Sequence, residues 1–171
     1  MRIFGVDPGT ATTGYGVLDV SGRSTFRYIA SGIISTPKDM PMHERLRTIR
    51  SDALSLLAEY APDILVIEQL FFFRNATTVI PVAQARGVLL EAAATYNIDV
   101  AEYTPMQVKL NLTGYGRADK KMVQTLVAKL LDHPSIIKPD DAADAVALCI
   151  CHARAGLSFA PQAVPSIQPQ P

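Results

Sequence analysis

Cysteine is scarce in this sequence, neither sign of charge is in excess, and no apolar run is long. Each shortage excludes something. The only two cysteines, Cys149 and Cys151, stand two apart in an alanine-rich stretch of helical character. Side chains two apart on a helix point about 200° from each other, so this pair is placed neither to bridge nor to share a metal. Small buried residues in a reducing compartment are the expectation. Every apolar stretch falls short of the roughly 20 residues that a membrane helix needs, which argues against a membrane partner. The opening MRIFGVDPG lacks a basic leader, a long apolar segment and a small-residue cleavage site. That predicts a cytoplasmic protein whose mature chain starts at this methionine.

The charge count, 16 basic against 16 acidic residues, lacks the basic excess usual in nucleic-acid binders. The distribution says more than the sum. Residues 103–131 hold five basic side chains (Lys109, Arg117, Lys120, Lys121 and Lys129) against one acid, Asp119. Taken alone, such a run is as readily a solvated helix face as a binding surface.

What is present suits one domain. A chain of 171 residues that is 49% apolar can build a single sizeable core, with little left for a second. Residues 1–155 are assigned to that domain. Residues 156–171, with four prolines and no charged side chain, read as a disordered tail outside it.

The opening reads as strands at Arg2–Asp7, 14–20 and Thr25–Ser35, with the glycines of DPGTATTGYG and VSGR supplying turns. Connections this short imply an antiparallel meander. Leu46, Ile49, Ala53, Leu57 and Tyr60 recur at helical spacing and predict an amphipathic helix. DILVIE is a continuous apolar run closed by an acid, as in a strand buried on both faces. Residues 76–94 form a second helical stretch, in which Pro81 either kinks the helix or occupies its first turn. Residues 97–102 make a short strand, and Met122, Val123, Leu126, Val127 and Leu130 mark a third helix. A last helix begins at KPDDAADA, with Asp140 available to cap it, and runs to about Arg154. The sum is an α/β domain with a mixed five-stranded sheet and helices on both faces.

Four acids in this pattern lack a local reason. Asp7 and Glu68 each end an apolar strand. Asp141 and Asp144 stand three apart at a helix start, so both project from one face and repel. The helix dipole offsets this only in part, whereas a divalent cation removes the conflict. Carboxylates without a histidine–cysteine cluster suit hard ions such as Mg²⁺ or Mn²⁺. Two such ions about 3.5–4 Å apart serve phosphoryl chemistry.

With these residues in view, the sequence resembles the RuvC family of bacterial Holliday-junction resolvases. The resemblance runs from about residue 2 to 152. It is carried by GVDPGTATTGYGVLD, VIEQLFFFRNATT with AQARGVLLEAAA, MQVKLNLTGYGRADKKMV, and DDAADAVALCICHA. It implies a ribonuclease-H-like fold and a homodimer that resolves four-way DNA junctions in recombination and repair by paired, metal-dependent nicks. The implied catalytic metal ligands are Asp7, Glu68, Asp141 and Asp144, holding two Mg²⁺ per site, with Mn²⁺ able to substitute. Asp141 is preferred to its neighbour Asp140 because it gives the DxxD spacing with Asp144. Phe71 matches a loop aromatic that stacks on a base, a contact worth roughly 1–3 kcal/mol. Phe72 and Phe73 are left to packing or a dimer contact. Lys109 and Lys120 match basic positions beside the scissile phosphate, and Arg74 and Arg117 are further phosphate contacts.

A branch-migration motor and junction-binding proteins are the implied partners. Independently of the resemblance, the helix at 76–94 is apolar over much of its circumference, which calls for burial on more than one side and suits a two-fold partner. Two residues have competing readings. His152, eight residues beyond Asp144, either packs or reaches the site, and Tyr115 either touches DNA or orders its Gly-Tyr-Gly turn.

Three rival functions are weaker. An actin-like or sugar-kinase phosphotransferase needs two such domains and a second glycine hairpin. A non-catalytic junction-binding protein has no use for four carboxylates. A related nuclease on other branched DNA or on RNA–DNA hybrids is set aside only by the family resemblance.

Overall fold

Alternation of side chains along the strands decides which face of the sheet carries the chemistry. The computed structural model describes residues 1–70 and 76–155. Strands β1 (Arg2–Asp7), β2 (Thr12–Gly22) and β3 (Thr25–Ser35) form the expected antiparallel meander. Helix α1 (Met42–Tyr60) leads to β4 (Ile64–Glu68), then α2 (Ala76–Thr95) and β5 (Asp99–Tyr103). Helices α3 (Pro105–Thr113), α4 (Lys120–Leu130) and α5 (Asp140–Ala155) follow. The strand order is β3-β2-β1-β4-β5, with β4 parallel to both β1 and β5.

This is the mixed five-stranded sheet expected from the sequence, and helices cover both faces. On one face Ile3, Leu18 and Val66 join Val123 and Val127 of α4 and Val146 and Ile150 of α5. On the other, Phe4, Val17, Leu65 and Ile67 join Ile49 and Leu57 of α1 and Ala85 and Leu89 of α2. Successive strand residues point to opposite faces, so the set Ile3, Gly5, Asp7 and the set Val66, Glu68 both look toward α5. Both acids therefore leave the core at the C-terminal ends of adjacent parallel strands.

Three glycines let α5 approach the sheet unusually closely. A Cβ built on Gly5 would lie 2.1 Å from the Ala145 carbonyl oxygen, and one on Gly14 would lie 2.0 Å from that of Asp141. At Gly16 the obstruction is Val146, at 2.5 Å. Gly14 pairs with Asp7 in the β1–β2 register, so the start of α5 is seated directly across from the first acid. Gly14 and Gly16 lie inside β2, as the strand expected at 14–20 has them, and that strand is longer than expected, running from Thr12 to Gly22. Its polar and glycine ends leave no apolar mark, so alternation does not show where it begins or stops.

Helix α3 was not anticipated. Its start carries a full capping box: the Thr104 hydroxyl accepts from the Gln107 amide while the Gln107 side chain accepts from the Thr104 amide. Pro105 occupies the first turn, and Gly114 ends the helix at φ 76°. Such signals mark a helix even when its hydrophobic pattern is weak. Pro81 lies within α2, the sixth residue from Ala76 and beyond the first turn. Asp140 does not serve as the expected cap, because its carboxylate faces Lys138 and Lys120 instead. Both cysteines are free and buried, as expected. Among the described residues no helix is long and apolar enough to cross a membrane. The readings of Phe71, Phe72, Phe73, Arg74 and the 156–171 tail fall outside the described residues.

Candidate active site

Asp7 and Glu68 open into a cleft of about 170 Å³ that Asp144, Lys109 and Lys120 also line. Pro105, Val108, Val123, Ala147 and Leu148 form its apolar wall. Each polar group arrives on a different element. β1 and β4 deliver the first two acids, α5 delivers Asp144, the capped helix α3 delivers Lys109, and Lys120 is the first residue of α4. That last position is fixed by Asp119, whose side chain accepts from the Met122 amide at 2.7 Å. Lys120 Nζ stands 2.9 Å from Asp144 and 3.7 Å from Asp140.

The electrostatics are those of acids short of cations. Burial pushes the Asp7 carboxyl well above the usual carboxylate range, and the charges of Glu68, Asp144 and Asp141 push it further. Glu68 is also raised, chiefly by burial, although its hydrogen bond with Asp7 and the charges of Lys120 and Lys109 pull the other way. Asp7 and Glu68 hydrogen-bond each other and both are raised, so the pair resists carrying two negative charges at once. Burial lowers Lys120, but the hydrogen bond and charge of Asp144, aided by Asp140 and Asp141, outweigh this and raise it. Among the described residues no three acidic, histidine or cysteine side chains stand as a closed metal cage. Lys120 pairs with the Asp144 carboxylate, and Asp7 hydrogen-bonds Glu68. The donor chemistry nevertheless fits a hard divalent ion, since positive charge in the cleft relieves each repulsion just described.

The residues predicted for this site divide into three groups. Asp7, Glu68, Asp144, Lys109 and Lys120 converge. Asp141 acts on Asp7 electrostatically but does not line the cleft. Asp140 pairs with Lys138 at 2.9 Å and lies 3.7 Å from Lys120, whereas Asp141 is among the charges that raise Asp7. Arg117 is exposed and apart from the cleft lining. His152 hydrogen-bonds the Tyr103 hydroxyl through Nδ1 at 3.0 Å, and burial lowers its pKa, keeping the ring neutral within the packing. The Tyr115 ring is exposed, and Thr113 ties its backbone into the turn. Sequence reasoning missed the apolar wall, whose residues read as ordinary core.

A family model described as crossover junction endodeoxyribonuclease RuvC matches residues 3–152. The chain belongs to the RuvC family. Curated RuvC relatives include that of Syntrophomonas wolfei, 50% identical over 89% of this chain and 88% of its own length. The Fusobacterium nucleatum relative is 47% identical, covering 89% of this chain and 80% of its own. Among solved structures, Thermus thermophilus RuvC in complex with a Holliday junction substrate matches with TM-score 0.86 and 33% identity, over 91% of this chain and 96% of that one. The sheet and helices described above are therefore the ribonuclease-H-like arrangement of RuvC, and the chain is a crossover junction endodeoxyribonuclease.

Proposed function

We infer that this chain resolves four-way DNA junctions as a homodimer, nicking two opposed strands at two symmetric clefts in Mg²⁺-dependent reactions in the cytoplasm. The observation that carries the reading is the convergence of the buried Asp7–Glu68 pair with Asp144, between Lys109 and Lys120. Asp7, Glu68, Asp144 and Asp141 are the residues that would hold two Mg²⁺, or Mn²⁺ in their place. When bound, such ions activate a water and stabilise the leaving oxygen of a phosphodiester. With a cation bound, Asp7 and Glu68 would both serve as ionised ligands, because the added positive charge offsets the repulsion that raises them. Lys109 and Lys120, from opposite walls, neutralise the phosphate and its developing charge. The apolar wall limits water around the reacting group. Phe71, Arg74 and Arg117 are assigned to DNA contacts, and a branch-migration motor and junction-binding proteins act beside the dimer.

Cleavage of a synthetic four-way junction, a plain duplex and an RNA–DNA hybrid, each with Mg²⁺ and with chelator, tests the reading. Paired nicks in the junction alone, lost with chelator, are expected. Equal cutting of the hybrid would point to a different branched or hybrid substrate, and binding without cutting to a non-catalytic protein.

The dimer reading has its own support in α2. Its buried side, with Ala85, Leu89, Ala92 and Ala93, packs on the sheet and on α1, while Ile80 on the outer side is 67% exposed. Ala83, Gln84, Gly87, Glu91 and Ala94 share that outer side, and a Cβ on Gly87 would meet nothing within 4 Å. The small residues Ala83, Gly87 and Ala94 would admit the same helix of a two-fold partner at close range there. Gly87→Arg is expected to give a monomer by light scattering and to replace paired cuts with isolated nicks. A dimeric Gly87→Arg protein would place the interface elsewhere.

A further inference from the structure

We propose that Asp140 positions Lys120, drawing its ammonium toward the start of α5 so that Asp144 is free to take a divalent cation. The proposal rests on the metal reading above. Lys120 Nζ lies between two carboxylates of one helix, 2.9 Å from Asp144 Oδ2 and 3.7 Å from Asp140 Oδ2. An ammonium has three donors and can hold both. The side chains of Lys120, Asp140 and Asp144 are 52%, 47% and 34% exposed. Ion pairs this exposed are weak and exchange readily.

A cation on Asp144 and the ammonium of Lys120 compete for the same carboxylate oxygen. With Asp140 present, the displaced lysine moves to a second anion less than a helix turn away, beside the cleft and within reach of a phosphate. Without Asp140 it would either keep Asp144 or go to solvent. Lys138 holds the other oxygen of Asp140 at 2.9 Å, which fixes the carboxylate and cancels charge that would repel DNA. Of the adjacent aspartates, Asp140 is thus the one paired with lysines.

The test is binding of Mn²⁺ alone, read from the rise in melting temperature of the full chain with metal concentration. Asp140→Asn is expected to weaken binding about threefold, the scale of one partly exposed ion pair. Lys120→Met is expected to tighten it, by up to about tenfold, by removing the competing charge. In the Lys120→Met background Asp140→Asn should then change nothing, and Asp140→Glu alone should stay close to wild type. Lys120→Gln provides the same comparison if the methionine variant does not melt cooperatively. An Asp140→Asn effect that persists without Lys120 would show a direct charge effect and overturn the proposal, as would no effect in either background. No metal-dependent shift in the unmutated protein would sink the metal reading and this inference with it. A shift present there but unaffected by Asp140→Asn would sink this inference alone.

Discussion

Asp7→Asn is expected to slow junction cleavage by about two to three powers of ten while making the metal-free protein more stable. The two effects have one cause. Asp7 is a mostly buried acid set against Glu68, Asp144 and Asp141, with burial the largest of the forces that raise its pKa. An asparagine keeps the shape, can donate to Glu68, and carries no charge. Relief of burial and repulsion should add about 1–3 kcal/mol in the absence of metal. In a domain of this size each kcal/mol raises the melting temperature by about 2–4 °C. The sign with pH follows from the direction of the shift. A carboxyl whose pKa is raised by folding contributes stability at pH below its unfolded value, and that stability is lost as pH rises through the folded one. The metal-free wild type should therefore lose stability as pH climbs through the neutral range, and Asp7→Asn should lose less. With Mn²⁺ or Mg²⁺ the ranking reverses, because only the wild type gains a full ligand set. Cleavage should fall by about two to three powers of ten, as when a preorganised transition-state contact is removed. Melting curves with chelator and with metal, beside junction cleavage, check all of this. If metal-free Asp7→Asn melts no higher than wild type, the acid is not held in a strained, cation-deficient cluster.

Much of this arrangement could be read before any coordinates, and the reasons are physical. Acids at the ends of apolar strands violate the burial rule, so Asp7 and Glu68 stood out as soon as their strands did. Asp141 and Asp144 stood out because helix spacing puts two like charges on one face. The lysines were harder. Lys109 and Lys120 look like any solvated charge until the middle of α3 and the start of α4 aim them, and the family resemblance is what singles them out. The salt bridges that divide Asp140 from Asp141 depend on where Lys138 and Lys120 come to rest, a tertiary fact that spacing cannot supply. Helix α3 is marked by its capping residues and hardly at all by hydrophobic period, so periodicity does not reveal it. The glycines of β1 and β2 left the least trace, since what they contribute is the absence of an atom.

That absence supports the second large effect. Gly14→Ala would set a methyl group where the Asp141 carbonyl oxygen now lies, 2.0 Å from the ideal Cβ, with the Asp141 carbonyl carbon at 2.3 Å and the Ala142 nitrogen at 3.0 Å. All three are backbone atoms, so no side chain can turn aside and α5 itself must lift. Overpacking of this kind costs about 1–3 kcal/mol. The larger consequence is displacement, because the lifted turn carries Asp141 and leads directly to Asp144. Misplacing a catalytic group by about 1 Å can cost two powers of ten in rate. Gly5→Ala meets a similar obstacle, the Ala145 carbonyl at 2.1 Å, one residue past Asp144. Gly22 is the control, since a Cβ there has Thr25 Oγ1 at 3.9 Å as its nearest neighbour. Gly22→Ala should therefore leave melting and cleavage near wild type. Gly14→Ala and Gly5→Ala should melt lower and, at temperatures where they remain folded, cut the junction far more slowly and require more metal. If Gly14→Ala stays folded and cuts at the wild-type rate, the close seating of α5 on β2 does not set the position of its acids. Rate loss without a raised metal requirement would instead assign the seating to DNA placement rather than to the carboxylate cluster.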